Sequence, residues 1–308
     1  MIKSLNHVGM TVPNLGVGRE FYEAFGLETR IVGNDLVLSC KGRDQDQIRL
    51  MPGSPKQLSY VAFGTDAEGF KNILDNLNRL DITIEAAPFE IESSGIWFKD
   101  PSDDWIHVTV AESASTAVKT VPEVNTHGRY RRVNERACTP ASQSKKARPI
   151  RLGHLIKFTP DVTHSIEFYT KVLGMKISDQ AGDVLAFLRC GSGGDHHILG
   201  LAKSSHSGLH HLSFEVMDID EIQMGAQHLI SLGYKSAFGL GRHVAGSNYF
   251  HYIRDPWNSL VEYFWDIDVI SENDTDWEPL NASPQDLTAV WATTPPPPEF
   301  IENFEEQR

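Results

Sequence analysis

The sequence predicts an α+β chain of two tandem domains, each assembled from two strand-helix-strand-strand-strand (βαβββ) units. Three observations predict it. A pattern of segments recurs through both halves in the same order, and each half alternates short β-prone stretches with helical periodicity. The length of 308 residues is too great for one small core and suits two domains of ordinary size.

The repeat is collinear in three places. LNHVGMTVPNLGVGREFYEAFGLE at Leu5–Glu28 corresponds to LGHLIKFTPDVTHSIEFYTKVLGMK at Leu152–Lys176. His7 falls on His154, Pro13 on Pro160 and Phe21-Tyr22 on Phe168-Tyr169. Further on, LSYVAFGT at Leu58–Thr65 matches LHHLSFEV at Leu209–Val216, and KDPSDDWIHVTV at Lys99–Val110 matches RDPWNSLVEYFW at Arg254–Trp265. One match would be weak, but three in order indicate a duplicated domain.

The elements follow in turn. Gly9–Val12 and Leu155–Phe158 are short and β-prone; Leu15–Phe25 and Val162–Leu173 carry apolar residues at helical spacing and stop at Gly26 and Gly174. Asp35–Ser39 and Gln47–Met51 in the first half, and Val184–Cys190 and His197–Ala202 in the second, are bounded by Gly, Ser or Asp as meander strands are. Leu209–Val216 then opens a new unit as a strand, with a helix over Ile219–Leu232 ending at Gly233. Tyr249–Arg254 and Ser259–Trp265 form a hairpin over the turn Asp255-Pro256-Trp257-Asn258. The expected divisions are therefore 1–111, a linker over 112–149, 150–270, and a tail over 271–308.

The linker is rich in Thr, Ser, Pro and charge, with Arg129, Arg131, Arg132, Arg136, Lys145, Lys146 and Arg148 clustered in it. Set against a net charge of −13, this run is expected to be a solvated loop or a source of intersubunit ion pairs. Four consecutive prolines in PPPPEFIENFEEQR exclude a regular helix or central strand, and the tail is expected to lie over the surface. Around Trp291 it has two possible roles, covering a cavity mouth or simple surface packing.

The negative charge argues against nucleic acid and anionic membrane as partners and favours a small-molecule substrate. No stretch approaches the roughly 20 apolar residues of a membrane span, and MIKSLNHVGM lacks a secretory layout. A cytoplasmic protein is expected. Cys40, Cys138 and Cys190 lack metal-ligand spacing and imply neither a disulfide framework nor a zinc cluster.

Thirteen histidines are the sharper signal, since several sit in apolar runs where a charged or unpaired imidazole is costly. The second half places His154 on its first strand, His211 at the head of its second unit's first strand, and Glu262 on its last strand. Two imidazoles and one carboxylate on three strands of one curved sheet can take one face of a metal and leave the opposite sites open, as non-haem Fe(II) oxygenases require. Singly, a histidine at a strand start is most often a satisfied core or surface residue; here Glu262 lies in Ser-Leu-Val-Glu-Tyr-Phe-Trp, where a buried unpaired carboxylate would be expensive. The first half has His7, Tyr60 and His107 at these positions. Tyr60 is a poor ligand for divalent iron, so that copy is expected to hold no metal. His210 competes with His211; alternation favours His211 facing the cavity if Leu212, Phe214 and Val216 pack against the helices.

The motifs Gly-His-Leu at 153–155, Leu-His-His-Leu-Ser-Phe-Glu-Val at 209–216, Gly-Arg-His at 241–243 and Tyr-Ile-Arg-Asp-Pro-Trp-Asn-Ser-Leu-Val-Glu-Tyr at 252–263 resemble those of the type I extradiol ring-cleavage dioxygenases of the vicinal oxygen chelate superfamily. The resemblance runs over nearly the whole chain. It implies four βαβββ modules forming two barrel-like sheets, each around a cavity, and Fe(II), occasionally Mn(II), held by His154, His211 and Glu262. The implied reaction is meta cleavage of a catechol with dioxygen as co-substrate. His197 matches the family's acid/base, with His196 as its register alternative, and an imidazole suits that work near neutral pH. His243 and Tyr252 match residues that hydrogen-bond and orient the catechol oxygens. The resemblance also implies a homo-oligomer.

The nearest rival is a metal-dependent isomerase or lyase of the same superfamily. The set of His197, His243 and Tyr252 argues against it, and the intact triad against a metal-free binding module. Phe187 and residues 244–250 are expected to border the ring pocket. Arg242 has two readings: a partner for an anionic substituent, or a structural partner of Asp255 or another acid.

Overall fold

The structure, a computed structural model, describes residues 1–89, 94–111, 130–136, 138, 140, 146–273 and 276–308. Most of the linker, including Arg129 and Lys145, lies outside the described residues; Arg131, Arg132, Arg136, Lys146 and Arg148 are described and exposed.

Each half forms its own sheet. At the centre of the first, Ser4–Val12 runs antiparallel to Gln57–Thr65, and each pairs in parallel with the last strand of its own unit, Asp46–Pro52 and Trp105–Val110. Asp35–Ser39 and Glu28–Val32 extend one side, and Ile96–Lys99 the other, giving seven strands. In the second unit of this half the first strand after the helix is reduced, among the described residues, to one bridge between Glu85 and Trp97.

The second half repeats the plan in full. Arg151–Thr159 runs antiparallel to Gly208–Glu215; these pair in parallel with Leu199–Lys203 and Leu260–Trp265 respectively. Leu185–Arg189 and Lys176–Ala181 continue one side, Tyr249–Arg254 and Ser236–Arg242 the other. The tail then adds one short strand at each edge: Leu280–Asn281 on Lys176–Ala181, and Trp291–Ala292 on Ser236–Arg242. Residues 282–290 therefore cross from one edge of the sheet to the other, with the short helix Pro284–Thr288 burying Leu287.

Four main helices, Leu15–Phe25, Ala67–Arg79, Val162–Lys171 and Ile219–Ser231, start where Asn14, Asp66, Asp161 and Asp218 accept backbone N–H groups of the first turn. Their buried faces meet the outward apolar set of the sheets. Leu212, Phe214 and Val216 belong to that core with Ile222 and Leu229, so the alternation argument for His211 has its premise. The strands Glu28–Val32 and Lys176–Ala181 carried little sequence signal, and the first is mostly exposed, which removes the apolar alternation that marks a half-buried strand.

The halves are packed together by buried contacts. Phe25 stacks on Tyr263 with ring centroids 4.0 Å apart, and the Tyr263 hydroxyl donates to the Phe25 carbonyl at 2.7 Å. Gly26 ends that helix at φ +111°, where a Cβ would lie 2.3 Å from the Ala147 carbonyl oxygen. Lys157, fully buried, is paired with Asp100 and, at 2.5 Å, with Asp104. Arg308 in turn reaches Asp104 at 3.0 Å.

Candidate metal centre and cavity

Sheet register explains why distant residues converge. Across four adjacent strands, His154 stands opposite Ser213, Ser213 opposite Glu262, and Glu262 opposite Tyr252. Directly opposed residues share a face of a sheet, so these four side chains project to one side, and His211, two residues before Ser213, projects with them. Two register shifts flank the row. One falls between Leu209 and His211, making His210 the extra residue, and the other leaves Gly153 extra beside His154. A Cβ on Gly153 would come 2.4 Å from the Phe264 ring, so the close approach there needs glycine.

The result is a buried donor set. His154 Nε2 lies 3.2 Å and His211 Nε2 3.5 Å from Glu262 Oε2, and one ligand atom from each residue falls within 4.8 Å of the others. Ser213 Oγ donates to the same carboxylate oxygen at 2.5 Å. Burial alone would push the Glu262 carboxyl up, but the hydrogen bond from His154 and the neighbouring imidazoles hold it below the usual carboxylate range. Burial, and secondarily the neighbouring imidazoles, lower the His211 pKa well below the ordinary value, keeping the ring neutral. Its Nε2 is buried without a hydrogen-bond partner. A neutral imidazole lone pair aimed near an ionised carboxylate fits a divalent first-row metal.

Carbonyl oxygens from the tail orient two rings beside this set. A carbonyl can only accept, so His210 Nε2, 2.9 Å from the Phe300 oxygen, carries its hydrogen there. His210 Nδ1 is then the acceptor of its 2.7 Å contact with His211 Nδ1, which places the His211 hydrogen on Nδ1 and the lone pair on Nε2. In the same way His243 Nδ1 donates to the Thr288 carbonyl, and His243 Nε2 accepts from the Tyr252 hydroxyl at 2.9 Å.

A parallel relay reaches His197. The Asp179 carboxylate lies 3.0 Å from His196 Nε2, and His196 Nδ1 lies 3.0 Å from His197 Nδ1. All three residues are buried. Burial, followed by the surrounding imidazoles, depresses the His197 pKa well below its ordinary value. Its ring sits 4.2 Å from that of His154 and 4.9 Å from that of Phe187, centroid to centroid. His196 and His197 occupy the connection ahead of the strand Leu199–Lys203, which begins two residues later than the start at His197 expected from the sequence.

These groups form one end of a cavity of about 570 Å³, whose lining includes His154, His197, His211, His243, Tyr252 and Phe187. Arg242 is not brought into it. Its guanidinium donates to the Ser247 carbonyl at 2.9 Å and the Tyr249 hydroxyl at 3.0 Å, and the acid nearest it is Asp266 at 4.0 Å, not Asp255. Of its two sequence readings, the contacts of Arg242 support a structural partnership, with Asp266 as the other acid. Asp179, Ser213 and the carbonyls of Thr288 and Phe300 were not singled out in the sequence. The doublets His196-His197 and His210-His211 were visible, but as ambiguities of register, and each proves to be a hydrogen-bonded pair.

In the first half the matching face is packed with rings. His7 Nε2 lies 3.0 Å from the Tyr60 hydroxyl, Tyr60 packs on Phe89 and Trp97, and His107 stacks on Trp97. Burial lowers His7 to about 3 and His107 to about 4.

Comparison with known proteins places the whole chain beside ring-cleaving enzymes. The family model described as Glyoxalase/Bleomycin resistance protein/Dioxygenase superfamily matches residues 151–263. Metapyrocatechase 2 of Cupriavidus necator is 34% identical over 99% of this chain and 93% of its own length. Biphenyl-2,3-diol 1,2-dioxygenase of Paraburkholderia xenovorans (strain LB400) is 31% identical over 37% of this chain and 40% of its own. Among solved structures, BphC, a halotolerant catechol dioxygenase, aligns with a TM-score of 0.75 at 21% identity over 96% of this chain and 95% of that one. The Mn(II)-bound glyoxalase from Novosphingobium aromaticivorans aligns with a TM-score of 0.78 at 20% identity over 98% and 94%.

Proposed function

The chain belongs to the extradiol dioxygenases of the glyoxalase/bleomycin resistance protein/dioxygenase superfamily, and we propose that it cleaves a catecholic ring at a metal held by His154, His211 and Glu262. The observation that carries this reading is the buried donor set at the polar end of a cavity large enough for an aromatic ring. Fe(II), or Mn(II), bound there would hold the catechol and dioxygen side by side and pass electrons between them, so that both oxygen atoms enter the ring-opened product.

The residues of the chain bind, orient and move protons. Tyr252 donates to His243, and the pair stands against Glu262, with His243 Nε2 3.6 Å from Oε1; there the two polar tips can hydrogen-bond the catechol oxygens and fix the ring's orientation. His197 is neutral, its Nδ1–H engaged by His196, which leaves Nε2 as the lone pair available to the cavity. That nitrogen takes a proton as the substrate's hydroxyls ionise and returns it as the ring opens. Phe187, beside His197, packs against the ring face. The apolar walls exclude water from the reacting atoms.

The setting follows the chemistry. Cys40 and Cys190 are buried free thiols, compatible with the reduced interior of a cell, and no helix among the described residues is long and apolar enough to cross a membrane. A cytoplasmic homo-oligomer is proposed, to be checked by fractionation and light scattering. The function is tested by oxygen consumption of anaerobically purified, Fe(II)-loaded protein on adding catechols, with the coloured product followed by absorbance. Uptake equal to catechol consumed is expected. No uptake despite one tightly held Fe(II) per chain would turn the reading to a metal-dependent isomerase or lyase.

A further inference from the structure

The cavity is polar at one end and apolar along the rest of its length. On the strand Arg151–Thr159, alternation carries the cavity face from His154 to Ile156 and Phe158. At about 3.3 Å per residue this row extends ~13 Å from the metal side. Facing it are Val184 and Leu185 from the neighbouring hairpin, and Leu287, Phe300 and Ile301 from the tail. A dry apolar cavity of roughly 150 Å³ accommodates one benzene ring. The 570 Å³ here leaves room well beyond a bare catechol, and what surrounds that room is hydrocarbon.

Charge points the same way. Among the described lining residues, Lys203 is the one lysine or arginine. Its Nζ lies 2.5 Å from the Asp183 carboxylate, and the two side chains are 46% and 68% exposed, so its charge is balanced and solvated at the rim. Arg242 is directed elsewhere. A ring-borne carboxylate entering this cavity would lose its hydration without gaining a buried cation, an uncompensated cost.

Resting on the ring-cleavage reading above, we propose that the preferred substrate is a catechol carrying an apolar substituent, seated along Ile156 and Phe158 and walled by the tail segment from Leu287 to Ile301. Carboxylated catechols are correspondingly disfavoured. The tail is thus a specificity-determining part of the substrate site.

Oxygen uptake by the Fe(II)-loaded enzyme would be compared for catechol, 3- and 4-propylcatechol and 3,4-dihydroxybenzoate. The better propylcatechol is expected to exceed both other compounds in kcat/KM by roughly tenfold or more, the scale on which apolar pockets read added methylenes. Equal or better turnover of catechol or dihydroxybenzoate would overturn the proposal. Calorimetric titration of the metal-free full chain with propylbenzene tests the cavity apart from turnover: saturable binding, weakened roughly tenfold by Ile301→Asp at the exposed mouth, is expected. Absence of such binding would also overturn it. Propylbenzene binding without oxygen uptake on any catechol would instead remove the ring-cleavage reading and leave the apolar site standing.

Discussion

The Asp179 carboxylate and the His197 imidazole are joined through His196, with both links at 3.0 Å. An ionised carboxylate only accepts, so His196 carries its hydrogen on Nε2, and His197 must donate from Nδ1. Asp179 therefore decides which nitrogen of His197 faces the cavity, although His196 lies between them. Replacing Asp179 with Ala is expected to lower kcat by roughly ten- to a hundredfold while leaving bound iron and KM near their original values. The 15N chemical shifts of His197 would check it. They should move from a single tautomer toward a mixture, and unchanged shifts with normal kcat would show Asp179 to be a packing residue.

The ligand and acid/base roles separate by metal content. His211→Ala is expected to lose its iron on dialysis, whereas His197→Phe retains iron and slows ring cleavage roughly 10²- to 10⁴-fold. Elemental analysis and single-turnover kinetics would read the two effects. Iron lost from the His197 variant and kept in the His211 variant would reverse the assignment.

Lys56 and Glu305 tie the end of the tail to the first half by an ion pair of 2.6 Å, with side chains only 5% and 3% exposed. Lys56→Met strands a buried carboxylate and should cost about 3–5 kcal/mol. Adding Glu305→Gln should restore part of that loss. Urea denaturation of both single variants and the double would give the coupling; additive losses would show that the pair is not energetically linked.

Asp255 is buried, which pushes its carboxyl up to about 6 despite the Lys56 ammonium nearby. Because the folded pKa exceeds the unfolded one, the group favours folding fully below about pH 3.9 and loses that contribution as pH rises through 6. Asp255→Asn keeps an oxygen for the Trp257 and Ser259 N–H groups and abolishes the titration. Its stability relative to the parent should therefore rise by ~2–3 kcal/mol between pH 4 and pH 7. A difference constant across that range would contradict a raised Asp255 pKa.

Much of this was legible before the structure. The three collinear repeats carried the two-half organisation, and His154, His211 and Glu262 stood out because charged or imidazole groups sat in strands otherwise apolar. Three of the four main helices, Leu15–Phe25, Val162–Lys171 and Ile219–Ser231, were readable to within a few residues because their apolar residues recur at helical spacing and stop near Gly26, Gly174 and Gly233. Glu28–Val32 was not, since an exposed outer strand has no buried face to print on its sequence.

The sequence by itself determined the duplicated α+β plan and the identity of the buried donor residues, since periodicity and the cost of buried charge are local properties. Only the tertiary structure decided how the His196-His197 and His210-His211 doublets work, where Arg242 points and what the tail does. Those outcomes rest on a bulge at His210, on an acid 17 residues before His196, and on carbonyls of Thr288 and Phe300 brought over the cavity by strands at opposite sheet edges. Backbone carbonyls are the same in every residue, so which of them meets an imidazole is fixed by the path of the chain and not by its letters.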